Sequence, residues 1–259
     1  MVAWDSVQYL RFERERTQAS HDLVRRIALA APRTIVDLGC GPGNSTRVLR
    51  ERWPAARVLA VDSSAEMLET ARSTDTGVDW EQGDIASWTP AAPVDLVFSN
   101  AALQWLPHHD HLVRNVWSHV GSGGALAFQV PAPGLQRERW AGALRAVLGR
   151  PGWEGIASGY RPPENVLSSE GYYDLLSPTA GRVDLWDTEY LHVLPGVTAV
   201  VEWVKGTALR PILARLPGDG DRRRFLSDLE EELALIYLPR PDGRVLFPFL
   251  RRFVIAYRP

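Results

Sequence analysis

Residues 35–46 read IVDLGCGPGNST, a short β-branched run that carries one acid, Asp37, and breaks into glycines at alternate positions, Gly39, Gly41 and Gly43. A buried apolar run of that length ending in glycine is a strand that turns sharply. The residues after the turn, STRVLRERW, place apolar side chains at helical spacing. Strand, glycine turn and helix in that order open a βαβ unit, which implies a parallel sheet with right-handed crossovers.

The pattern continues in both directions. Upstream, Leu23, Val24, Ile27 and Ala28 follow helical spacing from about residue 19, and Pro32 marks the exit. Downstream, ARVLAVD is a second strand ending at Asp62. Ser63 with Glu66 three residues on reads as a capping box opening a helix that buries Met67, Leu68 and Ala71. Further strands are expected over 78–84, 94–100 and 125–131, and Leu112, Val113, Val116, Trp117 and Val120 form a helical stripe stopped by Gly121. In open parallel sheets ligands bind outside the carboxyl ends of the strands. The glycines, Asp62, Asp84 and Asn100 all fall at such ends and are expected to converge.

Beyond residue 131 the alternation loosens. Helices are expected at 136–149, 168–177, 198–210 and 221–238, and the strands VDLWDTEYLHV and RVLFPFLRRFVIAY close the chain. The economical reading is one domain over 1–259, with 132–182 and 196–242 forming a helical cap over the sheet edge.

Composition narrows the class. The chain has 259 residues, 45% hydrophobic and 23% charged, enough for a large core. Its 31 acids nearly balance 29 bases, so no global charge draws it to a phosphate backbone or an anionic lipid surface, and neither nucleic acid nor membrane is expected as a partner. Lys205 is the only lysine, so each arginine has to be argued by position. No apolar run has the length of a signal peptide core or a membrane span. Cys40 is the only cysteine, which fits a reducing, cytoplasmic compartment.

The glycine turn limits the ligand. A phosphate-cradling P-loop requires lysine at its end, and none stands here. The dinucleotide fingerprint is spaced G-x-G-x-x-G, whereas this turn is G-x-G-x-G with Pro42 inside it. That spacing suits an adenosine-bearing ligand without a pyrophosphate, and S-adenosylmethionine has that shape.

VDLGCGPGNS, VDSSAEML, EQGDIASW and DLVFSNAALQWLP, in this order, resemble the successive motifs of class I S-adenosylmethionine-dependent methyltransferases. The resemblance implies a Rossmann-like α/β sheet, mostly parallel with an antiparallel C-terminal strand. It implies that Asp37, Gly39, Gly41 and Gly43 line the methionine end of the cofactor. Asp62 would take the ribose hydroxyls, Asp84 and Ile85 the adenine, and Asn100 the methionyl part, with Cys40, Ser63, Met67 and Ala101 beside them. A carboxylate accepts two ribose hydroxyl protons at once, which agrees with this placement.

Six further segments, WDSVQYLRFERERTQASHDLV, NAALQWLPHH, GYYDLLS, VDLWDTEYLHVLPG, EWVKGTALRPIL and DGRVLFPFLRRFVIAYRP, are similar to the trans-aconitate methyltransferases within that class. One departure follows Arg16, where Gln18-Ala19 replaces the family's basic residue and proline. The similarity implies methyl transfer to a carboxylate of a small polycarboxylate. A carboxylate is already ionised at neutral pH, so no catalytic residue is required beyond those that position and desolvate it.

Polyanion recognition calls for arginine forks, and Arg16, Arg210 and Arg252 lie in the segments of family resemblance. Tyr9, Trp105, Tyr172, Tyr173 and Trp203 are candidates to wall the pocket, and Trp4 to fold over the cofactor. The alternative for each arginine is a solvated surface position. For each wall aromatic it is core packing, favoured at Trp203 by Val200, Val201 and Val204, and for Trp4 it is an anchor for the N-terminus. HHDH at 108–111 offers metal-ligand types, but neighbouring loop histidines point apart and no second cluster is visible, so no metal is expected. His108 is the one candidate base should the acceptor be a hydroxyl or amine. The alternatives are a methyltransferase for another small metabolite, or a protein that binds S-adenosylmethionine without turnover.

Overall fold

A computed structural model describes residues 12–157 and 166–259. Tyr9 and Trp4 lie outside the described residues. The described chain divides into two compact units.

The first unit, residues 12–132, 166–188 and 251–259, holds the glycine turn. Helix α1 (Glu13–Arg26) leads into β1 (Thr34–Leu38), and α2 (Asn44–Arg52) follows the turn. Then come β2 (Arg57–Asp62), α3 (Ala65–Thr74), β3 (Asp79–Gln82), β4 (Val94–Asn100), a 3-10 turn (Leu103–Trp105), α4 (His109–Ser118) and β5 (Val120–Pro131). Helix α7 (Ser169–Leu176) belongs here too, and β6 (Arg182–Leu194) and β7 (Val245–Tyr257) each have one end in this unit. The sheet order is β3-β2-β1-β4-β5-β7-β6. Strands β1 to β5 pair in parallel, and β7 runs antiparallel to β5. Helices cover both faces of a parallel sheet, so after Thr34 β1 is apolar apart from Asp37, and Ile35, Val36 and Leu38 are buried.

The chain lays β2 and β3 on one side of β1 and then crosses to place β4 on the other. This reversal opens a crevice at the carboxyl ends of β1 and β4, the usual ligand position in such sheets. The glycine turn leaves β1 at that point.

The second unit comprises residues 133–157 and 189–250. It contains α5 (Leu135–Leu148), α6 (Glu154–Ala157), α8 (Val197–Lys205), α9 (Arg210–Leu213) and α10 (Asp219–Ala234). Its core groups Trp203 with His192, Phe247 and Phe249, and Tyr237 packs edge-on to Phe247. Arg150 bridges Asp228, Glu231 and Glu232 at 2.7–3.2 Å.

Several expectations need correction. The N-terminal helix starts at Glu13 rather than near residue 19: it runs unbroken through Ala19, which packs fully buried, because nothing between Glu13 and Arg26 removes a backbone donor. Ser64 rather than Ser63 caps α3, its Oγ accepting from the Met67 N–H at 3.3 Å. Val120 begins a strand and does not end a helix. The helix expected over 198–210 ends at Lys205, and Arg210 opens a separate turn with Pro211 at its start. The cap expectation reached from 132 to 182, yet residues 166–182 group with the unit that holds the glycine turn. There Tyr172, Leu175 and Leu176 of α7 enter its core.

Candidate functional site

The site begins with backbone conformation. Gly39 and Gly43 have φ of 75° and 93°, in the left-handed region that favours glycine. A β-carbon on Gly39 would lie 2.2 Å from the Ala102 methyl, so the end of β1 touches the loop after β4 only because residue 39 has no side chain. At Gly43 a β-carbon would meet the Trp80 ring at 3.0 Å.

Asp37 fastens this turn from beneath. Its Oδ2 accepts from the Ser45 and Thr46 hydroxyls, both at 2.7 Å, tying the end of β1 to the first turn of α2. Burial pushes its carboxyl up to about 6, against the pull of the Thr46 and Ser45 hydrogen bonds. Asp62, at the end of β2, accepts from the Gly41 N–H through Oδ2 and from the Ser64 N–H through Oδ1, each at 2.8 Å. Burial raises its pKa while these backbone donors oppose the rise. Backbone donors thus fix the orientation of the carboxylate at the cleft wall.

A cleft opens over the turn, lined by Gly39, Gly41, Pro42, Asp62, Ser63, Met67, Asp84, Ile85, Asn100, Ala101, Ala102, Trp105 and Leu106. Asp84 is exposed, its Oδ1 accepting from the Ala86 N–H at 2.9 Å. Ala101 has a positive φ of 56°, held by its N–H on the Gln129 carbonyl at 3.0 Å and by Gln104, which donates to the Ala101 carbonyl at 2.7 Å. Among the described residues the walls carry two carboxylates and no basic side chain.

Nine of the twelve residues singled out for a cofactor, with Trp105, therefore meet in one cleft. Asp37, Cys40 and Gly43 do not reach its wall. Asp37 is fully buried as a brace, Cys40 is buried with its thiol pushed up by desolvation, and Gly43 packs toward Trp80. Pro42, Ala102 and Leu106 complete the wall. They lie inside the same motifs, but small and apolar side chains carry no chemistry that marks them.

The acceptor candidates are placed less favourably. Arg252 forks Asp187 through Nε and Nη2 at 2.9 and 2.8 Å and donates to the Leu167 carbonyl at 2.9 Å, so its charge already has an internal carboxylate. Tyr172 is fully buried: its hydroxyl meets His109 Nε2 at 2.6 Å and its ring packs edge-on to Phe128. Tyr173 next to it is 52% exposed on the outer face of α7. Trp203 is core in the second unit, for the reason its valine neighbours give. Arg16 is buried in α1, and Arg210 is partly buried in the second unit, where desolvation lowers its pKa.

His108 is exposed at the start of α4 with φ of 51° and is not on the cleft wall. His109 turns inward to the Leu103 carbonyl and Tyr172, and burial lowers its pKa. Among the described residues no group of three or more His, Cys, Asp or Glu side chains is placed to hold a metal ion. No helix among them is long and apolar enough to cross a membrane.

Comparison with known proteins fits this geometry. A family model described as a methyltransferase domain matches residues 35–124. The trans-aconitate 2-methyltransferase of Azoarcus sp. (strain BH72) is 47% identical over 259 residues, covering all of both chains. That of Methylobacterium nodulans is 44% identical, covering all of this chain and 99% of the other. Among solved structures, a phosphoethanolamine N-methyltransferase of Haemonchus contortus, in complex with S-adenosylhomocysteine, superposes with a TM-score of 0.55 at 15% identity. It covers 93% of this chain and 52% of that one, which shows a common fold. With a glycine-floored cleft at the sheet's reversal point and close similarity over its whole length, the chain belongs to the trans-aconitate 2-methyltransferase family.

Proposed function

We propose that the chain transfers a methyl group from S-adenosylmethionine to one carboxylate of trans-aconitate, giving a monomethyl ester and S-adenosylhomocysteine. One observation carries the reading: a cleft whose described walls are glycine backbone, apolar side chains and two carboxylates, in a chain 47% identical end to end to a trans-aconitate 2-methyltransferase. Such walls repel phosphate and suit a ligand that is cationic at sulfur and rich in hydroxyls.

In this reading Asp62, its two oxygens oriented by Gly41 and Ser64, holds the ribose hydroxyls. Asp84 and Ile85 border the adenine, and Gly39, Gly41, Asn100 and Ala101 border the amino-acid end. When bound, S-adenosylmethionine supplies an electrophilic methyl on a sulfonium sulfur. The chain's part is to hold an ionised acceptor carboxylate in line and to exclude water, and Trp105 and Leu106 supply the apolar wall. Because the acceptor arrives ionised, no group has to remove a proton. The other carboxylates of the acceptor are assigned to Arg16 and Arg210, which lie in the segments of family resemblance; Asp187 occupies the fork of Arg252. A cytoplasmic location fits a small, soluble acceptor.

The test is incubation with S-adenosylmethionine and a panel of di- and tricarboxylic acids, read by mass spectrometry. A base-labile monomethyl ester of trans-aconitate is expected. Transfer only to hydroxyl or amine acceptors would sink the reading.

A further inference from the structure

Behind the cleft wall the sheet aligns three polar side chains. Asn100 lies opposite Gln129 across the β4–β5 ladder, and Gln129 lies opposite Phe253 of β7. Arg251, two residues from Phe253, is therefore a diagonal neighbour of Gln129 on the same face of the sheet. Gln129 is fully buried and Arg251 is 3% exposed. Arg251 Nη1 donates to Gln129 Oε1 at 3.1 Å, and Gln129 Nε2 donates to Asn100 Oδ1 at 2.5 Å.

Chemistry fixes the direction of this chain. A guanidinium has donors and no acceptor, so Gln129 must turn its oxygen to Arg251 and its NH2 to Asn100. Asn100 can then accept only through its carbonyl oxygen, which leaves its NH2 for the cleft that it lines. The same Gln129 holds the Ala101 N–H with its main-chain carbonyl, so one buried residue sets both the side chain of Asn100 and the strained backbone next to it. An Asn100 turned the other way would add an oxygen to walls that already present Asp62 and Asp84.

We infer that Gln129 and Arg251 are positioning residues, a buried donor relay that turns the Asn100 NH2 toward a carboxylate bound in the cleft. The inference rests on the proposed function for the source of that carboxylate, which is the amino-acid end of the methyl donor or the acceptor acid. The relay begins at a permanent cation, which polarises each amide in turn and strengthens the last donor. In this way positive charge acts on a cleft whose described walls carry none.

The test compares Gln129→Glu with Gln129→Leu in the full chain. Glutamate still offers Arg251 an acceptor oxygen, now of a carboxylate, but has nothing to donate, so Asn100 must give it the NH2 and turn its oxygen to the cleft. Leucine deletes the acceptor of Arg251 and leaves Asn100 able to rotate. If Gln129 only packs and satisfies Arg251, the leucine variant is worse both in melting and in function, and that result overturns the relay. The relay predicts opposite orders: the glutamate variant melts at or above the leucine variant, yet weakens carboxylate recognition by tenfold or more and by more than leucine does.

Two readouts separate the sources. A loss in S-adenosylhomocysteine affinity, measured by calorimetry, assigns the carboxylate to the donor; a loss confined to the KM for trans-aconitate assigns it to the acceptor. Asn100→Asp, which keeps an acceptor for Gln129 and replaces the cleft-facing NH2 with oxygen, should reproduce the loss. Unchanged affinity and KM in that variant overturn the inference even if the Gln129 variants fail to fold. Failure of the function reading shows separately, as wild-type protein that binds S-adenosylhomocysteine but methylates no acid.

Discussion

Replacing Gly39 by alanine puts a methyl group where the structure has no room. The new carbon would lie 2.2 Å from the Ala102 methyl, on a residue whose φ is 75°. The left-handed backbone alone costs a non-glycine residue about 1–2 kcal/mol. The overlap must be relieved by moving the loop after β4, and forced overpacking typically costs about 1–3 kcal/mol. Together these give about 2–5 kcal/mol, a large share of the 5–15 kcal/mol by which a domain is usually stable. In a chain of this size that corresponds to a melting temperature lower by about 5–15 °C. Because Ala102 is itself part of the cleft wall, its displacement should also weaken S-adenosylhomocysteine binding. The partner variant Ala102→Gly separates the two costs. In the double variant the steric part disappears and the backbone part stays, so denaturant titrations of the four proteins should give a coupling of about 1–3 kcal/mol. Additivity within about 0.5 kcal/mol would refute the reasoning, since it would mean that residues 39 and 102 do not meet as described.

Three other substitutions test the assignments around the cleft. Asp37 has a folded pKa of about 6 against an ordinary 3.8, so its contribution to stability is full below 3.8 and is lost as pH rises to about 6, a change of about 3 kcal/mol. Asp37→Asn abolishes that slope, and denaturation midpoints from pH 4 to 7 should favour the variant increasingly over wild type; parallel curves would contradict the raised pKa. Tyr172→Phe leaves buried His109 Nε2 without its 2.6 Å partner and should cost about 1–3 kcal/mol in stability with S-adenosylhomocysteine affinity unchanged; a selective loss of ligand binding would return Tyr172 to the pocket wall. Arg210→Ala should raise the KM for trans-aconitate about tenfold or more with cofactor affinity intact, and loss of cofactor binding instead would reject its role with the acceptor.

The half of the chain that forms the sheet was legible because parallel strands covered on both faces leave a strong mark. Each is an apolar run that ends where the chain must turn, and those ends are where the ligand lies. Asp62, Asp84 and Asn100 could be placed in one cleft from strand ends alone, without knowing a single contact. What that logic does not supply is which of two like neighbours takes a role. Ser63 and Ser64 are the same residue one step apart, and only the hydrogen bond from the Ser64 N–H to Asp62 Oδ1 fixes which one is extended and caps α3. Asp37 sits in the most informative motif of all, yet its hydroxyl partners make it a brace beneath the turn and not part of the wall.

Pairs of identical neighbours show most clearly where the reading of the sequence stopped. On α7, Tyr172 shares a face with Leu175 and Leu176 at helical spacing, and that pattern already marks it as the buried member and Tyr173 as the solvated one. In β7, Arg251 and Arg252 have no such local mark. Alternation guarantees that they face opposite sides of the sheet, but which side meets Gln129 depends on the register of β7 against β5, a contact across more than a hundred residues of sequence. With Arg251 against Pro131, one arginine joins the line that leads to Asn100, and the other crosses to Asp187. A shift of one residue would exchange them, sending Arg252 into the relay and leaving Asp187 with Arg251. The residue that the family resemblance favoured for the acceptor is therefore the one held by an internal carboxylate, while its neighbour, unmarked in the sequence, is the cation connected to the cleft.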